Sequence, residues 1–189
     1  MVIREMSREE CLRVLSRSRL VRLACAQENQ PYVVPVYLSY HEASGCLYGF
    51  TTPGQKVAWM RANPLVCVEV DEVAASDQWV SVIALGRYEE LPGFAGTDDA
   101  RIQVQERPRQ VAESTTFWSA DCHPPQGESE QELAWRVLQN LPEWWEPGAA
   151  AWAARAEGDP DEPYVSVYYR IRIASLTGHE ATPDARDAI

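Results

Sequence analysis

The most constraining stretch of this sequence is 79–91, which opens apolar on both faces of a strand. Trp79, Ile83 and Leu85 alternate with Val80, Val82 and Ala84. Successive strand side chains point to opposite sides, so a strand with one face in water shows polar residues on that face. A strand apolar on both sides belongs inside a barrel or against another subunit. We therefore expect a barrel-like sheet and a homodimer.

Earlier runs agree with a sheet. Residues 20–26, 32–40 and 46–50 are apolar, β-branched or aromatic, and turn-forming Glu28-Asn29-Gln30 and 42–45 separate them. Such spacing predicts an antiparallel meander. Pro35 lacks an N–H for a ladder, so its strand lies at an edge or a split. Further strands are expected over 65–71 and 79–91, and a last one over 164–174, where Val165, Val167, Tyr169, Ile171 and Ile173 share a face. A polar tail is expected from Thr177.

Helices frame these strands. Ser7 and Glu10 form a capping box ahead of a helix over 8–18. Thr52 as N-cap and Pro53 as first helical residue open a second, closed by Asn63-Pro64. Residues 97–118 read as a helix disturbed by Pro108, 130–140 as a good helix and 149–156 as another. The fold class expected is α+β: a split β-barrel, mostly antiparallel, of about six strands with peripheral helices. The domain reading is a barrel core over 1–92, a helical, Trp-rich acidic insertion over 93–160, the final barrel strand over 161–178 and a tail over 179–189, in one structural domain.

Charge narrows the partners. The chain carries 28 acidic and 17 basic residues, a net −11, which repels phosphate backbones and anionic lipid. Nucleic acid and membrane partners are not expected. Residues 1–92 are nearly balanced at −2, whereas 93–189 carry −9. No run reaches the roughly 18 apolar residues of a membrane span, and 1–10 lacks the apolar core of a signal peptide. The expected location is cytoplasmic. The five cysteines form no CxxC pair and are expected to be free thiols. Cys122-His123 has no second ligand cluster nearby, so no metal is expected.

The chemistry concentrates at Thr51-Thr52-Pro53-Gly54-Gln55-Lys56. A strand ends, two hydroxyls follow, and a helix opens with unpaired amides and the only lysine of the chain, against sixteen arginines. Helix N-termini suit anions, and an ammonium grips phosphate. The alternative is an ordinary capped helix with a solvated lysine.

In sequence, Pro31-Tyr32-Val33-Val34-Pro35-Val36, this turn, Asn63-Pro64, and Trp79-Val80-Ser81-Val82 with Gly86 resemble the pyridoxamine 5′-phosphate oxidase-related FMN-binding split-barrel superfamily. The chain is most similar to its flavin-nucleotide-binding branch, which includes nitroimidazole-resistance proteins. The resemblance spans about 3–92 and returns over 169–181. It implies FMN at a homodimer interface and a small-molecule substrate. The phosphate would rest on Lys56, Gly54, Thr51 and Thr52, and the isoalloxazine edge along Val34, Pro35, Val36 and Tyr37. Trp79 and Ser81 would reach the cofactor from the partner. Gly86 would permit close packing or mark a bulge. Gly49 and Phe50 stand where the branch commonly has a histidine, and Val80 where an arginine often precedes the serine.

No catalytic acid, base or nucleophile emerges. His41, His123 and His179 read as surface residues and Arg22 as one arm of a rim ion pair. Trp144 and Trp145 read as anchors of the acidic second half, or as a lid shielding the flavin. The expected function is a flavin-dependent oxidoreductase acting on a small organic acceptor. The alternative is a non-catalytic flavin- or haem-binding module serving as sensor or scavenger.

Overall fold

The computed structural model describes residues 1–91, 129–139 and 167–184. Its elements are β1 (Val2–Glu5), α1 (Arg8–Arg17), β2 (Leu20–Gln27), β3 (Gln30–Tyr37), β4 (Ser39–His41), β5 (Cys46–Thr51), α2 (Gln55–Ala62), β6 (Leu65–Ala75), β7 (Gln78–Glu90), α3 (Glu130–Gln139) and β8 (Val167–Thr182), with a 3-10 turn at Glu42–Ser44. The sheet order is β3-β2-β6-β7-β8-β5-β4, with β1 added to β8, and every pair is antiparallel.

The expected α+β split barrel is what forms. Buried Val21, Leu23, Val66, Val68, Val70, Val82, Ala84, Leu47, Tyr169 and Ile171 come from five strands yet pack into one cluster with Val14 and Leu15 of α1 and Met60 of α2. The sheet therefore wraps its own core. The ladder stays open between its edge strands, β3 and β4.

Pro35 sits on edge strand β3, opposite Arg22 of β2. The expected single run over 32–40 divides at Leu38, and β4 pairs with β5 at the far edge of the sheet. The meander is thus corrected: β2 and β3 form a hairpin, but β3 and β5 are not neighbours. The split in the barrel falls where the proline stands.

The capping box holds. Glu10 N–H donates to Ser7 Oγ at 3.3 Å, and Ser7 N–H to Glu10 Oε2 at 2.7 Å. The last strand departs from expectation. Rather than ending near 174 before a polar tail, β8 continues to Thr182, pairing β7 from Tyr169 to Ala181 and β1 at its end. β1 itself was not expected, because four exposed residues show no burial pattern. In β7, Val82 and Ala84 are buried whereas Ile83 and Leu85 stay exposed in the single chain. The helices expected over 97–118 and 149–156, Cys122-His123, and Trp144 and Trp145 lie outside the described residues. α3 lies within the expected helix and packs Leu133 and Ala134 beside Cys46, Tyr48 and Leu91.

Candidate functional site

β5 delivers Thr51 to the rim of the barrel, opposite Val167 of β8. There Phe50 lies beside Tyr168, ring centroids 5.8 Å apart. The turn that follows differs from the expected cap. Gly54, not Thr52, is the N-cap; its backbone is extended, with no side-chain hydrogen bond to the helix amides. The Thr51 hydroxyl instead donates to the Thr52 carbonyl at 3.4 Å. The helix begins with Ala58 N–H donating to Gly54 O at 3.0 Å, so the amides of the first turn remain available, as helix starts require.

Lys56 enters from this first turn. It is half-buried and, among the described residues, makes no hydrogen bond or ion pair. Burial pushes its ammonium below the usual lysine range, with no opposing carboxylate to hold it up. Lys56 is therefore a half-buried cation whose charge an anion would satisfy.

Two contacts tie α2 to the hairpin that carries the second expected segment. Asn63 Nδ2 donates to the Ala26 carbonyl at 2.9 Å, and the Trp59 ring meets Tyr32 edge-on at 5.5 Å. Two such ties orient α2 over the β2–β3 hairpin, running opposite to β3. α2 is thus tied to the β2–β3 hairpin at Ala26 and Tyr32, while Val34, Pro35, Val36 and Tyr37 lie further along the edge strand. Trp59 and Tyr32 were not singled out from the sequence; an aromatic one turn after the lysine was the available signal.

Trp79 and Ser81 are not part of this cluster. They sit on β7, opposite Ala181 and His179 of β8, with β6 and β2 between them and β3.

Arg22 does not face a phosphate. It pairs with Glu69 at 2.9 Å and with Asp71, the rim ion pair expected for it. His179 is exposed as expected, but His41 is half-buried, with Nδ1 3.1 Å from Ser44 Oγ and its ring 6.0 Å from that of Tyr48. Gly86 fulfils both readings offered for it. It lies at a register shift against β8, and a Cβ there would stand 2.7 Å from the Arg172 carbonyl oxygen. Among the described residues no three His, Cys, Asp or Glu side chains gather as for a metal, and no helix is long and apolar enough to cross a membrane.

Comparison with known proteins gives this geometry a setting. The family model described as pyridoxamine 5′-phosphate oxidase matches residues 7–123. An uncharacterized protein of Rhizobium meliloti, RA0666, is 39% identical over 148 residues, 78% of this chain and 77% of its own. Among solved structures, an FAD-binding protein of Mesorhizobium loti is 35% identical with a TM-score of 0.61, over 97% of this chain and 99% of that one. An FAD-binding protein of Mycobacterium smegmatis, 16% identical with a TM-score of 0.53 over 93% and 98% of the two chains, shares the fold. With the split barrel, the proline-bearing edge strand and the lysine turn in place, the chain belongs to the pyridoxamine 5′-phosphate oxidase family.

Proposed function

We propose that this protein binds a flavin nucleotide, FMN, at the split of the barrel and acts as a flavin-dependent oxidoreductase on a small organic acceptor. The observation that carries the reading is Lys56, a half-buried ammonium without a partner at an uncapped helix start. Such a donor set suits a terminal phosphate.

The residues divide the work simply. Lys56 and the amides after Gly54 hold the phosphate, with Thr51 and Thr52 as hydroxyl donors. The edge of β3 offers backbone groups over 34–37, because no strand follows it in the sheet. Flavin, when bound, supplies the redox chemistry; the protein binds it, orients it and keeps water from it.

The reading includes a homodimer. Leu65, Leu85 and Ile83 are 64%, 51% and 40% exposed, next to one another on the outer face of β6 and β7. Contiguous apolar surface of this kind marks an interface. Light scattering at micromolar concentration is expected to give twice the chain mass.

The deciding measurement is the absorption spectrum of the purified protein, with the released cofactor identified by chromatography. Bound flavin is expected, and Lys56→Met is expected to lose most of it. Colourless protein that takes up no added flavin defeats the proposal. A second reading, FAD, is favoured by the name of the Mesorhizobium loti relative; the released cofactor decides between them. Bound flavin that is neither reduced by NAD(P)H nor reoxidised by acceptors would make the protein a carrier or sensor.

A further inference from the structure

The sheet carries a second, smaller core on its outer side. Leu47 of β5 and Tyr169 and Ile171 of β8 belong to the core inside the barrel. Their neighbours alternate outward. Cys46 and Tyr48 therefore meet Leu91 and Tyr168 on the other face, where α3 covers them with Leu133, Ala134 and Val137. Leu133 and Ala134 are both buried.

α3 is built as a separable element. Ser129 N–H donates to Glu132 Oε2 at 2.6 Å and Glu132 N–H to Ser129 Oγ at 3.2 Å, a capping box that owes nothing to the sheet. Yet its 10 residues are too few for a helix to persist alone in water. Docking supplies the rest, through the apolar side chains above and through Arg170 of β8, which donates to Glu130 in the first turn at 2.7 Å.

The docked face runs on to the turn that carries Lys56. Phe50 follows Tyr48 by two residues and so faces the same way, its ring 5.8 Å from that of Tyr168 directly opposite. Thr51 comes next, where β5 ends. Tyr168 is thus common to the α3 cluster and to the Phe50 pair. Leu91 N–H fixes its backbone by donating to its carbonyl at 2.9 Å. Contiguous packing that ends in an element able to dock or undock as a unit can carry coupling, and coupling is reciprocal.

Resting on the flavin reading above, we propose that α3 is a clasp for the cofactor turn. Docked on Cys46, Tyr48 and Tyr168, it holds Phe50, and with it the path of the chain from Thr51 to Lys56, in the form that takes the flavin phosphate. Phosphate binding in turn holds α3 on the sheet.

Hydrogen exchange of the full chain across 130–139, with and without FMN, reads this coupling, and FMN is expected to slow exchange there. Ala134→Arg, which cannot dock, is expected to raise the Kd for FMN at least about tenfold. Glu130→Gln, which weakens only the tie to Arg170, is expected to raise it about fivefold; it decides the matter if Ala134→Arg loses native circular dichroism. Phe50→Leu, saturated with FMN, is expected to lose the slowing. Wild-type protein that binds FMN while exchange across 130–139 stays unchanged overturns this proposal alone. So does a folded variant with fast exchange in α3 that binds FMN as tightly as the wild type, or slowing that survives in Phe50→Leu. Wild-type protein that binds no flavin overturns the reading beneath it.

Discussion

Gly49 of β5 lies directly opposite Tyr169 of β8, and the tyrosine fills the space a side chain at 49 would need. A Cβ there would stand 2.7 Å from Tyr169 Cζ, 2.8 Å from its hydroxyl and 2.6 Å from Leu38 Cδ2. Position 49, one of the two at which the resemblance implies a histidine, is closed by packing in this protein. Tyr169 is fully buried and, among the described residues, its hydroxyl has no hydrogen-bond partner.

Two substitutions probe that pair in opposite directions. Gly49→Ala forces side chains apart in a closed core and is expected to destabilise by about 1–3 kcal/mol. Tyr169→Phe removes an unpaired buried hydroxyl and is expected to leave stability unchanged or raise it by about 1 kcal/mol. Urea unfolding of both variants decides; a clear loss of stability in Tyr169→Phe would show that the hydroxyl has a partner.

Gly86→Ala should be at least as damaging. The nearest atom to its Cβ would be the Arg172 carbonyl oxygen at 2.7 Å, part of a backbone already bonded into the sheet. Backbone cannot swing aside as a side chain can, so a loss of about 2–3 kcal/mol is expected. Thermal unfolding should show it without a change in the β-sheet signal.

Lys56 should tie flavin binding to alkaline pH. Its folded pKa is held down by burial, so the charge is a cost to the ligand-free fold. That cost is fully present at low pH and disappears as pH rises from the folded value to the ordinary lysine value. A bound phosphate favours the charged form, so affinity should fall over the same window while ligand-free stability rises. Calorimetric titrations in two buffers should show proton uptake on binding there. Lys56→Met should abolish that uptake and leave the ligand-free protein at least as stable.

Arg170 is expected to anchor α3. It donates to Glu89 at 2.7 Å and to Glu130, in the first turn of α3, also at 2.7 Å, with its own side chain 17% exposed. Arg170→Met should destabilise by about 1–3 kcal/mol, between the values for exposed and buried pairs. Hydrogen exchange should accelerate across 130–139. Arg172, then Arg170, hold the Glu89 carboxyl below its usual range. That contribution is present above the ordinary carboxylate pKa and is lost as pH falls through the lowered one, so the variant should lose less stability in acid than the wild-type protein.

Much of the frame was legible before any coordinates. Ser7 and Glu10 announced α1, Asn63-Pro64 ended α2 and Pro35 marked an edge, because capping, the missing proline N–H and the constraint before proline act over a few residues. The strand end at Thr51 and the helix start just before Lys56 were legible for the same reason, since both are set by residues close in sequence. The cap was misread because Thr52 and Gly54 both satisfy local rules, and the path of the chain out of β5 chose the glycine.

Relations between distant segments needed the folded chain. No local pattern distinguished β1, or the end of β8 beyond residue 174, from polar tail, because those segments become strands through pairing with distant partners, β1 with β8 and β8 with β7. That Lys56 lies half-buried and, among the described residues, unpaired, and that Tyr169 closes the space at Gly49, depends on strand order and packing. Hydrophobic period and turn chemistry, both short-range, determined which elements form. Which faces meet, and which charges are left without a partner, was decided by long-range packing around a shared core.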